Sequence, residues 1–250
     1  MTILDGSIRL TAQLTLPVHQ TVPCPLVIII HGFTGYKEER HILAVAEALE
    51  ETGCATLRVD MYGHGESEGR FHDHNLFNWL NNAMAVVDYA KSLHFVSDIY
   101  LCGHSQGGMI TMLAGAMEAD RIAGLLPLSP AWMIPEDARN GMLLGRIFDP
   151  EHIPPQLTID ETRTLSGNYL RVAQTIHVED AIRRYQGPVL IVHGEEDETV
   201  PVAYAKKAHE LYAQSDLVLI PGDTHCYDHH LDQVTDAVRA WMRRQLAAAQ

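Results

Sequence analysis

The chain has 250 residues, 46% of them apolar, a size that suits one hydrophobic core with a sizeable insertion. Its formal net charge of −14, with no lysine- or arginine-rich run to offset it, argues against nucleic acids and membrane surfaces as partners. Residues 1–6 lack the pattern of a signal peptide and no later apolar run is long enough to span a bilayer, so we expect a cytoplasmic protein. The oligomeric state stays open, and a homodimer is compatible with the sequence.

Short apolar segments recur along the chain and alternate with segments of helical spacing. Residues 8–16 alternate apolar and other side chains, which predicts a strand with one solvated face. Residues 26–30 instead form a continuous apolar run, typical of a strand covered on both faces. Similar runs lie at residues 55–59, 99–102, 124–128, 189–192 and 217–220, and helical spacing lies between them, as over residues 76–90. This order predicts an α/β fold with a mostly parallel central sheet, helices on both faces, and chemistry at the carboxyl ends of the strands.

Residues 131–186 interrupt this alternation. They contain no clear central strand, and glycines and four prolines, at positions 135, 150, 154 and 155, break any long helix. We interpret the segment as a small lid inserted after a central strand, within one domain that spans residues 1–250.

The predicted nucleophile lies in the sequence Gly-His-Ser-Gln-Gly at residues 103–107. This segment follows a predicted strand and precedes the helix-compatible run at residues 109–117. A nucleophilic serine of this type sits on a very tight strand-to-helix turn, where small neighbours avoid clashes and the helix dipole points at the hydroxyl. Ser105 is therefore the predicted nucleophile, and the alternative is a glycine-rich turn that merely contains a serine.

A serine hydroxyl needs a base, and the base needs an acid that fixes its tautomer. The predicted strand at residues 189–192 leads into a loop rich in carboxylates, where the G-x-x-D-x-x-V-P spacing singles out Asp197 as the acid. The alternatives, which read more simply as solvated loop charges, are Glu195, Glu196 and Glu198.

The last predicted strand, at residues 217–220, is followed by a loop that carries a histidine where the base belongs. His225 is therefore the predicted base. His229 and His230 are alternatives, although they lie further from the end of the strand.

The oxyanion of a tetrahedral intermediate needs two preorganised amide donors. In this arrangement they come from the residue after the nucleophile and from the loop after an early strand, which selects Gln106 and Phe33. His31, beside Phe33, is expected to be structural.

Fifteen histidines raise the question of a metal site, and two local clusters, at residues 72–74 and 228–230, are the places to test it. Each cluster is short and lacks a distant partner pattern of the kind that metal sites use. We therefore expect no metal, and the chemistry described above needs no cofactor.

These motifs, together with Asp-Met-Tyr-Gly-His-Gly-Glu-Ser at residues 60–67, resemble the α/β-hydrolase superfamily over nearly the whole chain. Within it, the chain resembles bacterial feruloyl (cinnamoyl) esterases of the intracellular type. Three features carry this resemblance: the sequence His-Gly-Phe-Thr-Gly-Tyr-Lys-Glu at residues 31–38, the compact lid, and the pair His225-Cys226. In that family the lid covers an aromatic acyl pocket, where an acidic residue and a tyrosine bind the phenolic hydroxyl of the substrate. The resemblance implies these roles for Asp137 and Tyr169.

One position departs from the family pattern. Some relatives carry a polar amide in the lid where this chain has Leu144, which weakens the case for hydroxylated acids. The alternative is that Asp137 caps a helix and Tyr169 only packs.

The resemblance implies a carboxylic ester hydrolase that acts on a small-molecule ester and releases hydroxycinnamic acids such as ferulate, p-coumarate and caffeate. A lipase-like or thioesterase activity on aliphatic acyl chains is the alternative within the enzymes. A receptor that senses a ligand without turning it over is the alternative outside them. The apolar residues of the lid are compatible with either enzyme: Trp132, Met133, Ile134, Met142, Leu143 and Leu144.

Overall fold

A mostly parallel sheet of eight strands forms the centre of the protein, in a computed structural model that describes residues 1–17 and 23–248. The first part of the chain forms β1 (Thr2–Asp5), β2 (Ile8–Thr15), β3 (Cys24–Ile30), α1 (Arg40–Glu50), β4 (Ala55–Val59), α2 (Leu76–Ser92), β5 (Val96–His104), α3 (Gln106–Met117) and β6 (Gly124–Leu128). The middle forms α4 (Ile134–Arg139), β7 (Met142–Leu143), β8 (Arg146–Ile147), β9 (Gln156–Thr158), β10 (Thr164–Ser166), α5 (Gly167–Gln174) and α6 (Val178–Arg184). The chain closes with β11 (Val189–Gly194), α7 (Val202–Leu211), β12 (Ser215–Ile220) and α8 (Leu231–Ala248).

The strand order places the ends of the central strands at one edge of the sheet. The order is β1-β2-β4-β3-β5-β6-β11-β12, with β1 and β2 antiparallel to their neighbours and the other strands parallel. In register, Ile30 at the end of β3 faces Gly103 in β5, and His104 faces Leu128 in β6. The loops that follow β3, β5, β11 and β12 therefore meet at the same edge.

Two hydrophobic layers cover the sheet, one on each face. Along β3, Leu26 and Ile28 belong to one layer, and Val27 and Ile29 belong to the other. The first layer includes residues of α2, α3 and α6, whereas α1 and α8 pack together in the second, around Trp241. The predicted α/β fold is confirmed. Within residues 1–17 and 23–248, no helix has the length and apolar character to cross a bilayer.

The short edge strand β1 was not among the predicted strands. Over Thr2–Asp5 only Ile3 is buried, so the segment has too few apolar side chains to show an alternating pattern. Its pairing depends on the backbone: the four residues pair with β2, and the amino group of Met1 donates to the carbonyl oxygen of Ala12 at 2.7 Å.

The chain between β6 and β11 forms two short hairpins, β7–β8 and β9–β10, together with the helices α4, α5 and α6. None of these hairpin strands joins the eight-stranded sheet. β6 and β11 are themselves neighbours, with Val189 opposite Leu125. The segment that we interpret as a lid, residues 131–186, therefore leaves the sheet and returns to it at adjacent positions.

Candidate active site

Ser105 occupies a very tight turn between β5 and α3. Its backbone has φ 56° and ψ −120°, in the region that side-chain-bearing residues rarely adopt. A Cβ atom at Gly103 would overlap the carbonyl of Gly107, and one at Gly107 would overlap the carbonyls of Ile30 and His31, so both flanking positions require glycine. The turn places Ser105 at the amino end of α3, where the helix dipole favours developing negative charge.

Asp197 and His225 form a hydrogen-bonded pair on the loops after β11 and β12. Nδ1 of His225 lies 2.7 Å from Oδ2 of Asp197, and Oδ1 of Asp197 accepts hydrogen bonds from the amides of Thr199 and Val200, each at 2.8 Å. The ionised carboxylate can only accept, so Nδ1 of His225 carries a proton and Nε2 of the neutral ring is left as a base.

A second histidine, which we did not predict, contacts the same carboxylate. Nε2 of the fully buried His193 lies 3.2 Å from Oδ2 of Asp197 and 2.9 Å from the carbonyl oxygen of Val200. Burial opposes ionisation of Asp197, but hydrogen bonds from His193, His225 and the Val200 amide outweigh it and hold the pKa of Asp197 well below its usual value. The acid is therefore ionised throughout the neutral range.

His104 connects the serine turn to the loop of the predicted base. Its Nε2 donates to the carbonyl oxygen of His225 at 2.8 Å, and the two rings pack with their centroids 4.7 Å apart. In the described part of the chain, the Ser105 hydroxyl makes no hydrogen bond to His225. Such bonds often tighten only when substrate binds. The position of His104 inside the predicted serine motif is the only sequence signal that marks it.

The alternative acids and bases lie apart from this pair. Glu195, Glu196 and Glu198 are exposed loop residues, as is His229. The backbone amides of His229 and His230 each donate to the buried carboxylate of Asp223 at 3.1 Å, which shapes the loop that carries His225.

The predicted oxyanion residues, Phe33 and Gln106, are buried on either side of the serine turn. A Cβ atom on Gly32 would lie 3.3 Å from Cβ of Ser105, so the loop that carries Phe33 runs directly beside the serine. Tyr169, from α5, contacts both residues: its hydroxyl donates to Oε1 of Gln106 at 2.5 Å, and its ring packs edge-on against Phe33 at 5.6 Å. This contact from the inserted segment had no signal in the sequence.

Asp137 lies on α4 and lines a cavity of about 480 Å³. Burial, with a further contribution from Glu136, raises the pKa of Asp137 above its usual value. The N-cap of α4 is Met133, so Asp137 does not cap the helix. The cavity joins the lid to the loop of Asp197, and its lining includes Met133, Asp137, Met142, Leu144, Thr199 and Tyr204.

Tyr169 is not part of the lining of that cavity. It is fully buried, and its hydroxyl is already bonded to Gln106. The structure therefore brings Tyr169 to the predicted oxyanion residues and leaves Asp137 on a separate cavity.

The histidine clusters at residues 72–74 and 228–230 make hydrogen bonds within the protein. Nδ1 of His72 lies 2.8 Å from the carboxylate of Asp73, and His74 is buried with its Nδ1 2.6 Å from the carbonyl of Phe71. Across residues 1–17 and 23–248, no group of three histidine, cysteine, aspartate or glutamate side chains is arranged to hold a metal ion. The ring of His74 instead packs 5.2 Å from Phe33, in the wall of the site.

The chain is similar to known proteins in both sequence and structure. The family model described as serine aminopeptidase, S33, matches residues 21–174, which include Ser105. A solved structure of ferulic acid bound to Est1E from Butyrivibrio proteoclasticus is 60% identical, covers 99% of each chain and superposes with a TM-score of 0.98.

Two curated relatives are more distant. Protein ABHD12B of Homo sapiens is 30% identical over 194 residues, which are 75% of this chain and 49% of the human protein. The chain therefore spans about half the length of that relative. Monoacylglycerol lipase of Mycolicibacterium smegmatis is 24% identical, with 95% of this chain and 94% of the lipase aligned.

Proposed function

This chain belongs to the serine aminopeptidase S33 family of α/β-hydrolases, and we propose that it hydrolyses esters of hydroxycinnamic acids, releasing acids such as ferulate, p-coumarate and caffeate. It is a serine carboxylic ester hydrolase of the feruloyl esterase type. The observation that carries the proposal is the 60% identity, over 99% of both chains, to Est1E, whose solved structure holds ferulic acid. A cytoplasmic location stays a prediction.

The first half of the reaction forms an acyl-enzyme. Ser105 attacks the ester carbonyl while Nε2 of His225 takes its proton, and the same imidazolium then protonates the leaving alcohol. Asp197 holds the proton of His225 on Nδ1 and stabilises the positive charge that develops on the ring. The 2.7 Å contact between Asp197 and His225 supports these two roles.

The second half releases the acid. His225 takes a proton from water, the water attacks the acyl-enzyme, and the returning proton restores the Ser105 hydroxyl. In both halves the amides of Phe33 and Gln106 donate to the oxygen that becomes negative. Donors held in place before the reaction need no reorganisation when this charge appears, and the burial of both residues supports that arrangement.

The acyl group lies under the inserted segment, residues 131–186, which acts as a lid. Asp137 accepts a hydrogen bond from the phenolic hydroxyl, a role supported by its place on the 480 Å³ cavity. Tyr169 does not line that cavity, but its hydroxyl oxygen, which donates its own proton to Gln106, keeps a lone pair that can accept a hydrogen bond from the phenol. Leu144 on the cavity wall contributes apolar contact and no hydrogen bond.

A second candidate is an aliphatic acyl-ester hydrolase. The apolar wall formed by Met133, Met142 and Leu144 favours it, and so does the similarity to a monoacylglycerol lipase. An apolar cavity accepts an aliphatic chain as readily as an aromatic ring, and Asp137 distinguishes the two because an aliphatic chain offers it no donor.

The deciding experiment measures kcat/KM on methyl ferulate, methyl cinnamate and methyl octanoate, with Ser105→Ala as the blank. We expect ferulate to exceed octanoate by about tenfold, which corresponds to about 1.4 kcal/mol of differential transition-state binding. Asp137→Asn should lower the ratio of ferulate to cinnamate, whereas Glu161→Gln, at an exposed position of the same segment away from the cavity, should not.

Two outcomes would contradict the proposal in different ways. Octanoate as the best substrate would keep the hydrolase and discard the hydroxycinnamate specificity. Failure of a fluorophosphonate to label Ser105 would discard hydrolysis itself and favour a ligand receptor.

A further inference from the structure

His31 is a fully buried histidine that takes no part in the reaction described above. It follows directly after β3, and its ring is fixed by an edge-on contact with Trp79 at 5.0 Å and by His64 at 5.2 Å. It lies two residues before Phe33, whose amide is one of the two proposed oxyanion donors.

The hydrogen bonds of His31 fix which ring nitrogen carries the proton. The amide of Met61 donates to Nε2 at 3.0 Å, and because an amide can only donate, Nε2 must be an acceptor. The proton is therefore on Nδ1, which lies 2.8 Å from the carbonyl oxygen of Gly32 and donates to it. Burial, helped by the neighbouring His64, lowers the pKa of His31 to about 3, so the ring keeps this neutral form at pH 7.

The carbonyl of Gly32 and the amide of Phe33 belong to one planar peptide unit. A donor on the carbonyl oxygen draws electron density through the peptide and makes the N–H on its other side a stronger donor. The bonds thus form a continuous series from the Met61 amide through His31 and the Gly32–Phe33 peptide to the oxyanion.

The same series fixes the direction of the Phe33 amide. Rotating the peptide would break the bond from His31 and the 3.1 Å bond that the amide of Gly35 also makes to the Gly32 oxygen. On the far side, the carbonyl oxygen of Phe33 lies 2.7 Å from Nε2 of His64. Both peptides that flank the Cα atom of Phe33 are therefore held by histidines.

We propose that His31 is a positioning residue for the oxyanion hole, which orients and polarises the Gly32–Phe33 peptide through its Nδ1–H. The inference rests on the proposed function, because it takes the Phe33 amide as an oxyanion donor. The negative oxygen exists only in the tetrahedral transition state and intermediate, so the contribution of His31 falls on kcat and leaves substrate binding unchanged.

Two substitutions separate the two hydrogen bonds of the ring. In His31→Asn, the side-chain amide nitrogen takes the approximate place of Nδ1 and can still donate to the Gly32 oxygen. In His31→Gln, the side-chain oxygen can take the place of Nε2 and accept from Met61, but the Gly32 oxygen loses the bond from residue 31 and keeps only the one from the amide of Gly35. Both variants lose the imidazole ring, and Gln keeps one methylene group more than Asn, so lost packing cannot explain a larger loss of activity in His31→Gln.

We expect His31→Gln to lower kcat on methyl ferulate by roughly 10- to 100-fold, somewhat less than the loss of a direct oxyanion donor. His31→Asn should retain about tenfold more of the activity than His31→Gln, because its donor remains. KM and the dissociation constant of ferulate should stay near the wild-type values in both. Equal losses of kcat in the two variants, or losses confined to KM, would overturn the positioning role.

A measurement on the wild-type protein keeps the proposal testable if the variants do not fold. Nitrogen-15 NMR of the histidine rings should show His31 with its proton on Nδ1 between pH 5 and pH 8. The shift of that proton should change when a phosphonate reacts with Ser105 and places an oxygen in the oxyanion hole. An unchanged shift would overturn the inference.

The two proposals fail in different ways. Wild-type protein without esterase activity on any of the methyl esters would remove the proposed function and this inference with it. An active wild type, an inactive Ser105→Ala and fully active His31 variants would leave the function standing and remove only the role of His31.

Discussion

At the scale of single residues, the site depends on bonds between groups that lie far apart in the sequence. Tyr169 and Gln106 are 63 residues apart, and their 2.5 Å hydrogen bond joins α5 to the start of α3. Nε2 of Gln106 is buried without a hydrogen-bond partner among the described residues. The orientation of this side chain therefore depends on the hydroxyl of Tyr169.

Tyr169→Phe should destabilise the protein by about 1–3 kcal/mol, because it leaves the buried side-chain oxygen of Gln106 without its donor. Urea unfolding of the variant and the wild type measures this difference. If Tyr169 also binds the phenol, the variant should lose its preference for methyl ferulate over methyl cinnamate.

Tyr36→Phe is the matched control, because Tyr36 is 47% exposed and its hydroxyl needs no partner within the protein. A stability loss in Tyr169→Phe no larger than in this control would contradict the structural role that we assign to the Tyr169 hydroxyl.

The sequence pointed to Asp197 and His225, which the structure places in hydrogen-bond contact, but it could not show Tyr169 beside Gln106. Asp197 and His225 each follow a strand at a short, fixed distance, and the ends of parallel strands meet at one edge of the sheet. The contact of Tyr169 depends on the path of the inserted segment, which has no such periodic pattern. His193 was missed because the apolar run ends at residue 192, so the residue after it gave no sign that the strand continues to Gly194.

At the scale of elements, the turn from β5 to α3 combines two constraints, a positive φ at Ser105 and close packing on both sides. Gly107 is required by close packing, because a side chain there would overlap the backbone at the end of β3. Gly6 has φ +58° but nothing within 4 Å of an added Cβ, so only its positive φ, and no steric overlap, disfavours a side chain there. The two glycines allow the two effects to be measured separately.

Gly107→Ala should unfold the protein or lower its thermal midpoint by roughly 10 °C, since the new methyl group must displace backbone of β3. Gly6→Ala should cost about 1 kcal/mol, the ordinary penalty for a side chain in the left-handed region. Differential scanning calorimetry of both variants measures these changes. Similar losses in the two variants would show that packing against β3 is not the dominant constraint.

The first and last residues of a strand could be predicted from the sequence only where apolar side chains extend to both of its ends. The fully buried strand β4 was predicted at residues 55–59, as observed. The amino end of β5 carries the exposed residues Ser97 and Asp98, so prediction began the strand three residues late, at residue 99 instead of Val96. The strand extends beyond its buried side chains because its backbone still pairs with β3, where Val96 lies opposite Cys24.

At the scale of the whole molecule, an unusual share of the buried polar groups are histidines. Burial lowers the pKa of His31 and His74 to about 3 and that of His41 to about 4. It also lowers the pKa of His64 and His104. The rings of His31, His41 and His74 are therefore neutral in the folded protein at pH 6, whereas an unfolded chain protonates histidine near pH 6.5.

Stability should therefore fall as the pH falls from about 6.5 towards 4. In this window the unfolded state binds more protons than the folded state, so the free energy of unfolding rises with pH, by up to about 1.4 kcal/mol per pH unit for each such histidine. The raised pKa of Glu39, also caused by burial, acts in the opposite direction and offsets part of the change.

Urea midpoints at pH 7.5, 6 and 5 measure this dependence. His74→Phe should flatten the curve by about the slope of one proton, because it removes one buried titrating ring. A stability that stays constant between pH 7.5 and pH 5 would contradict the assignment of these histidines as neutral.

The inserted segment begins and ends at neighbouring strands, since β6 and β11 pair directly. Its two ends are thus close together, and its length can change without altering the order or register of the sheet. Recombination between genes can therefore exchange this segment as a unit, while Ser105, Asp197 and His225 are inherited with the scaffold. Such an exchange would replace the part of the cavity wall formed by Met133, Asp137, Met142 and Leu144, whereas the part formed by Thr199 and Tyr204 would stay with the sheet.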